Sequence, residues 1–202
     1  DLSHASSFVG WPLGALIGSD LLAPYHVALD YRAQPHPSVS FSKTPLAAPQ
    51  GVIGAAQDVP FKEVLGVPVV SATLSAGGVE VKRELIADTG SGVTVLKRST
   101  WDALVAGKAL PKLEGYRWLS NSGETQGFVT RLPSLKIGGA EVQESWAIIV
   151  PDDHHLVGTL GLAGLPTEFL GYPFYRRFVT VYEGPDKRYT FHPVAKQTVV
   201  PD

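Results

Sequence analysis

Residues 85–96 read Leu-Ile-Ala-Asp-Thr-Gly-Ser-Gly-Val-Thr-Val-Leu. Two apolar, strand-like runs are joined by a short loop, and the loop begins with a carboxylate, Asp88. Asp-Thr-Gly after a strand is also an ordinary solvent turn, in which Asp accepts backbone N–H groups and Gly takes positive φ. The flanks argue against that reading here. Leu85-Ile86-Ala87 is apolar throughout, and Val93-Thr94-Val95-Leu96 resumes at once as a strand. The fold therefore has to bury both strands and hold an acid at their joint.

The rest of the chain agrees with a mostly β architecture. Turn residues are frequent, with 21 Gly and 16 Pro. Between them, residues 67–74, 78–87, 134–139, 141–150 and 177–183 carry β-branched or alternating patterns. Ser75-Ala76-Gly77-Gly78 reads as a hairpin turn. Helix signals are few. Residues 99–107 carry a Ser or Thr N-cap and a Gly stop, and 173–177 suit one or two turns. Residues 43–58 are small, aperiodic and Pro/Gly-bearing, which is a linker composition.

A pattern recurs on either side of that linker. Residues 15–31 and 168–183 both read as two apolar residues, Gly, a helical turn ending in an aromatic, then a strand. Aligned on Gly18 and Gly171, the offset is 171 − 18 = 153. A counterpart of Asp88 would fall at 88 − 153 = −65, upstream of residue 1. Residues 1–42 are thus expected to be the C-terminal tail of a first copy, with 43–58 a linker and 59–202 a complete second copy. The chain contains no Met, even at residue 1, and is expected to be a processed product or a fragment of a longer protein.

Several chemistries are disfavoured. The absence of Cys removes disulfide and thiolate chemistry. A formal charge of −2 gives no electrostatic case for nucleic acid. There is no apolar run long enough to span a bilayer. Asp152-Asp153-His154-His155 follows Pro151, but adjacent ligands rarely converge on one ion, so a solvated loop is expected. There is no Gly-x-Ser-x-Gly elbow, and the Gly-rich stretch 156–165 lacks the Lys of a phosphate loop.

Asp88-Thr89-Gly90-Ser91, between two apolar strands, resembles the active-site loop of the pepsin and retropepsin superfamily of aspartic proteases. Phe169-Leu170-Gly171, followed by a short helix, resembles that superfamily's second hallmark. Residues 61–78 resemble the opening hairpin of bacterial retropepsin-like proteins, 120–128 stand in the place of the flap, and 132–150 resemble the strands that follow it. Where Asp20 stands two residues after Gly18, Pro173 stands two after Gly171.

The resemblance implies a mostly β acid-protease lobe with short helices, endopeptidase activity on polypeptide substrates, and neither metal nor cofactor. In that chemistry two carboxylates share one proton, a pairing for which the aspartic-protease dyad is the type case. Asp88 would be one member. Thr89 would brace the loop, Gly90 would permit close approach, and Ser91 would hydrogen-bond the outer oxygen of Asp88. Gly171 would back the loop, and Asn121, Ser122 and Gly123 would belong to the flap, with Trp118 or Phe128 as its aromatic. The second acid would come from an N-terminal lobe or second chain of the same precursor. An inactive protease-like binding module and a retroviral-type homodimer are the other two readings. A secreted or periplasmic location is expected.

Overall fold

The computed structural model describes residues 17–32, 37–106, 110–120, 123–154 and 164–195. Among them are three short helices, α1 (Ser19–Leu22), α2 (Arg98–Val105) and α3 (Tyr172–Tyr175). The strands are β1 (His26–Asp30), β2 (Ser38–Ser42), β3 (Gln57–Pro60), β4 (Lys62–Val64), β5 (Val67–Ala76), β6 (Val79–Ala87) and β7 (Thr94–Lys97). They continue with β8 (Lys112–Ser120), β9 (Gly123–Ile137), β10 (Ala140–Val150), β11 (Phe169–Leu170), β12 (Phe178–Glu183) and β13 (Arg188–Pro193). No helix among the described residues is long and apolar enough to cross a membrane.

Eight strands form one sheet in the order β4-β5-β6-β11-β7-β10-β9-β8, and β5 also pairs with β9, which folds the sheet back on itself. The β5–β6 turn is the expected hairpin. Ala76 pairs with Val79, and Gly77 and Gly78 take φ of 55° and 89°. Two consecutive positive φ values suit a tight turn whose twist matches the strands, and Gly adopts them without steric cost. Alternation on β5 sends Val70, Ala72, Leu74 and Ala76 into the core. β7 is buried on both faces: Leu96 joins the main core, while Val95 packs with Ile148 and Val150 in a smaller cluster. Its neighbour β10 runs parallel to it, and strands buried on both faces read as continuous apolar runs.

The second sheet has the order β2-β1-β12-β13-β3. The N-terminal segment is therefore hydrogen-bonded to the C-terminal one. Gln57 and Asp58, which composition assigns to the linker, already pair with Phe191 and Thr190. Main-chain pairing with an available edge outweighed weak local β-propensity there.

β1 and β12 are arranged about a pseudo-two-fold axis. Helices α1 and α3 start 172 − 19 = 153 residues apart, and each follows an extended glycine, Gly18 or Gly171. Ala28 pairs with Val181, and 28 + 153 = 181, so this residue is paired with its own repeat equivalent. The symmetry is incomplete outward. β3 flanks β13, yet nothing described flanks β2, whose Val39 and Phe41 are about half exposed.

Candidate active site

Asp88 stands at the end of β6, and β7 begins six residues later. These two strands do not pair with each other. β11 lies between them, parallel to β6 through Ile86–Phe169 and Ala87–Leu170, and antiparallel to β7 through Val95–Phe169. This insertion fixes the loop. The Asp88 N–H donates to Leu170 O at 3.1 Å, and Tyr172 N–H donates to Ser91 O at 2.8 Å. The loop is thus tied at both ends to the segment that carries Gly171.

Gly171 is where the backing is closest. Its N–H donates to the buried Thr94 Oγ1 at 3.2 Å. A Cβ there would collide with the Val93 carbonyl and lie 2.9 Å from Thr94 N. Both are backbone atoms that cannot rotate away. Gly171→Val is expected to destabilise the chain by at least the overpacking range of about 1–3 kcal/mol. Chemical denaturation checks this, and a stability within experimental error of the parent would show that the loop is not backed at this point.

Within the loop, Gly90 N–H donates to Asp88 Oδ1 at 2.9 Å, and Ser91 N–H donates to the Asp88 carbonyl at 3.2 Å. Asp88 is half-buried. Burial pushes its carboxyl above the ordinary carboxylate range, against the opposing effect of the Gly90 and Ser91 N–H groups. Desolvation of the charged form dominates. The site holds a carboxyl biased toward keeping its proton.

The remaining site residues behave differently. The Ser91 hydroxyl donates to Val93 O at 2.7 Å, so its single proton closes the loop instead of reaching the outer oxygen of Asp88. The Thr89 hydroxyl makes no hydrogen bond among the described residues. Gly123 pairs with Ser120 at the end of the β8–β9 hairpin. Asn121 and Ser122 lie outside the described residues, as does the Trp118 side chain. Phe128 is not a flap aromatic. It is 3% exposed, packs edge-on against Trp101 at 5.4 Å, and lies beneath the cations of Arg98 and Lys112. Alternation on β9 turned it inward, where a buried ring gains more than an exposed one.

One buried acid escaped the sequence reading. Glu168 is 3% exposed, accepts from Lys97 N–H at 2.8 Å and faces Arg83 Nε at 3.7 Å. It clamps β11 against the end of β7. Its signal in the sequence was its place immediately before the Phe-Leu-Gly hallmark. Asp152 is also structural, accepting the Ser99 N–H and hydroxyl at the start of α2.

Residues 70–167 match the family model described as aspartyl protease. An aspartic proteinase from Irpex lacteus superposes over 88% of this chain with a TM-score of 0.53 and 14% identity. The fold is pepsin/retropepsin-like. This chain spans 58% of the Irpex lacteus proteinase. A retropepsin-like aspartic protease from Rickettsia conorii is 18% identical over 69% of this chain and 100% of its own, with a TM-score of 0.45. The protease of EIAV is 18% identical over 49% of this chain and 89% of its own, with a TM-score of 0.33. No curated protein matches in sequence. Within this fold, the β6–β7 loop with Asp88 packs against the β11–α3 junction with Gly171.

Proposed function

We propose that the chain is one lobe of an aspartic endopeptidase, in which Asp88 and a second Asp from an N-terminal lobe of the same precursor activate water against a peptide bond. The observation that carries this reading is the loop itself: a half-buried carboxyl that accepts the Gly90 N–H, on a residue whose own N–H is tied to Leu170 O, in a chain of pepsin/retropepsin-like fold. One carboxyl cannot both accept a proton from water and donate one to the scissile carbonyl. Two close together can, because their mutual repulsion leaves one ionised and one protonated. Burial of Asp88 already favours the protonated form, which suits the member that polarises the carbonyl and later protonates the leaving amine.

The pseudo-two-fold axis supports a second lobe. It relates Gly171 to Gly18, yet among the described residues Gly18 has no backbone packed against it, only its neighbour Asp20. The counterpart of Val93 would fall at 93 − 153 = −60, and that of Asp88 at −65. The unpartnered Thr89 hydroxyl fits the same scheme, since a second loop would place its own backbone there.

A substrate-like peptide with a secondary alcohol in place of the scissile carbonyl mimics the tetrahedral intermediate, and transition-state mimics bind far more tightly than substrates. Such a peptide is expected to stop cleavage by the active assembly, while serine-directed reagents leave it unchanged. The reverse pattern would replace the carboxylate mechanism with a nucleophilic one.

A further inference from the structure

The five-stranded sheet carries a cluster that the proposed chemistry does not use. His26 on β1 is the register partner of Glu183 on β12. Asp186 follows in the turn to β13, where its N–H donates to the Glu183 carbonyl at 3.2 Å and Lys187 N–H donates to Gly184 O at 3.2 Å. This turn keeps Asp186 beside the end of β12. One ring nitrogen of His26 and one oxygen each of Glu183 and Asp186 lie within 4.8 Å of one another. His26 is 4% exposed, and its Nδ1 is buried without a hydrogen-bond partner. Buried polar atoms are seldom left so, because losing water without gaining a partner costs free energy.

We propose that His26, Glu183 and Asp186 bind a divalent cation of the zinc class, which ties β1 to the β12–β13 hairpin. The donor set selects the ion. Mg²⁺ and Ca²⁺ take oxygen ligands, whereas an imidazole with carboxylates suits Zn²⁺. Tetrahedral zinc with bonds of about 2.0–2.2 Å places its ligand atoms about 3.4 Å apart, so the donors must draw together somewhat. The half-exposed Asp186 side chain, on a turn, is free to supply that movement. The fourth position would hold water. The site involves neither Asp88 nor its loop, and it stands or falls independently of the proteolytic reading.

A cation already contests the place. The Arg188 guanidinium pairs with Glu183 Oε2 and lies 3.7 Å from Asp186 Oδ2. Thr190 Oγ1 donates to Asp58 Oδ1 at 2.8 Å and lies 3.3 Å from the same Glu183 oxygen. The Arg188 side chain is 42% exposed, so it can yield to a metal by swinging into water. This competition gives the test its sign.

Calorimetric titration of the full chain with zinc chloride is expected to show one site that magnesium chloride does not fill. His26→Gln and Asp186→Asn should each weaken zinc binding by at least ~10-fold, since even the loss of a group that only orients a metal ligand costs that much. Arg188→Gln should strengthen it by removing the competing charge. Asp186 is exposed, so its variant reports on the site even where the buried His26→Gln fails to fold. The proposal is overturned by absence of zinc binding, by equal zinc and magnesium affinities, by an Asp186→Asn chain that binds like the parent, or by weaker binding in Arg188→Gln.

Discussion

Asp88→Asn is expected to abolish peptide cleavage in the proposed active assembly while leaving this chain folded. The substitution keeps the volume and keeps an oxygen to accept the Gly90 N–H, a bond of 2.9 Å. It removes only the proton chemistry. A positioned acid–base group contributes about 10²–10⁴-fold, and residues that act as a unit lose more when one is removed, so a fall of at least ~10³-fold in kcat is expected. The fold control is unusually direct. Burial raises the Asp88 carboxyl in the folded chain above its ordinary value. Below the unfolded value both states are protonated and the group costs nothing. As pH rises from the unfolded to the folded value, the unfolded state loses its proton first, and stability falls. Above the folded value the full cost of the ionised, desolvated carboxyl remains. Asn carries no such cost. The Tm of the isolated Asp88→Asn chain should therefore match the parent at acid pH and exceed it at neutral pH. Unchanged turnover in a folded Asp88→Asn sample would remove Asp88 from the chemistry. An equal Tm across the whole range would show that its carboxyl is not desolvated.

The sequence carried those parts of the fold that rest on local rules. The Gly77-Gly78 hairpin was legible because only a tight turn with positive φ needs that pair. The Asp88 loop was legible because apolar strands on both sides forbid a turn in water. The repeat offset of 153, found by aligning two glycines, reappears in the helix starts and in the Ala28–Val181 pair. What escaped depends on contacts between distant segments. Ser99 looked like an N-cap, but Lys97 takes that position and the Ser99 hydroxyl goes to Asp152, far along the chain. The expected stop at Gly107 is preceded by Ala106 in the left-handed region, φ 46°, which already ends the helix. Phe128 looked like a cleft aromatic because nothing local tells the two faces of β9 apart. Glu168 stood next to the Phe-Leu-Gly hallmark, but its burial was not legible because its partners, Lys97 and Arg83, come from β7 and β6.

The chain on its own is expected to cleave no peptide, and activity should appear only with a polypeptide that supplies the other half of the sheet and the second Asp. The reasoning runs from surface to chemistry. β2 is an edge strand with Val39 and Phe41 about half exposed, and Ile17 and Leu21 around α1 are 56% and 59% exposed. Edge strands and contiguous apolar residues are sites for further pairing and packing. By the two-fold that pairs Ala28 with Val181, the place beside β2 corresponds to the place that β3 fills beside β13. The same operation would put a partner's loop equivalent to Asp88-Thr89-Gly90 about the axis, facing this one. A partner that fills the first place would on this proposal also deliver the second acid, so assembly and activity should rise together on titration. Denaturing electrophoresis of the active species should then show a second, smaller band alongside this chain. Substituting Phe41→Asp on β2 should weaken that association and activity in parallel, while the fold of this lobe, with β12, β13 and the Asp88 loop intact, is retained. A different outcome would redraw the model: an active species built only from this polypeptide, as a symmetric pair with Asp88 from each copy, would place the two acids across a dimer axis. In that arrangement Phe41→Asp would leave cleavage untouched, because β2 would have no second lobe to bind.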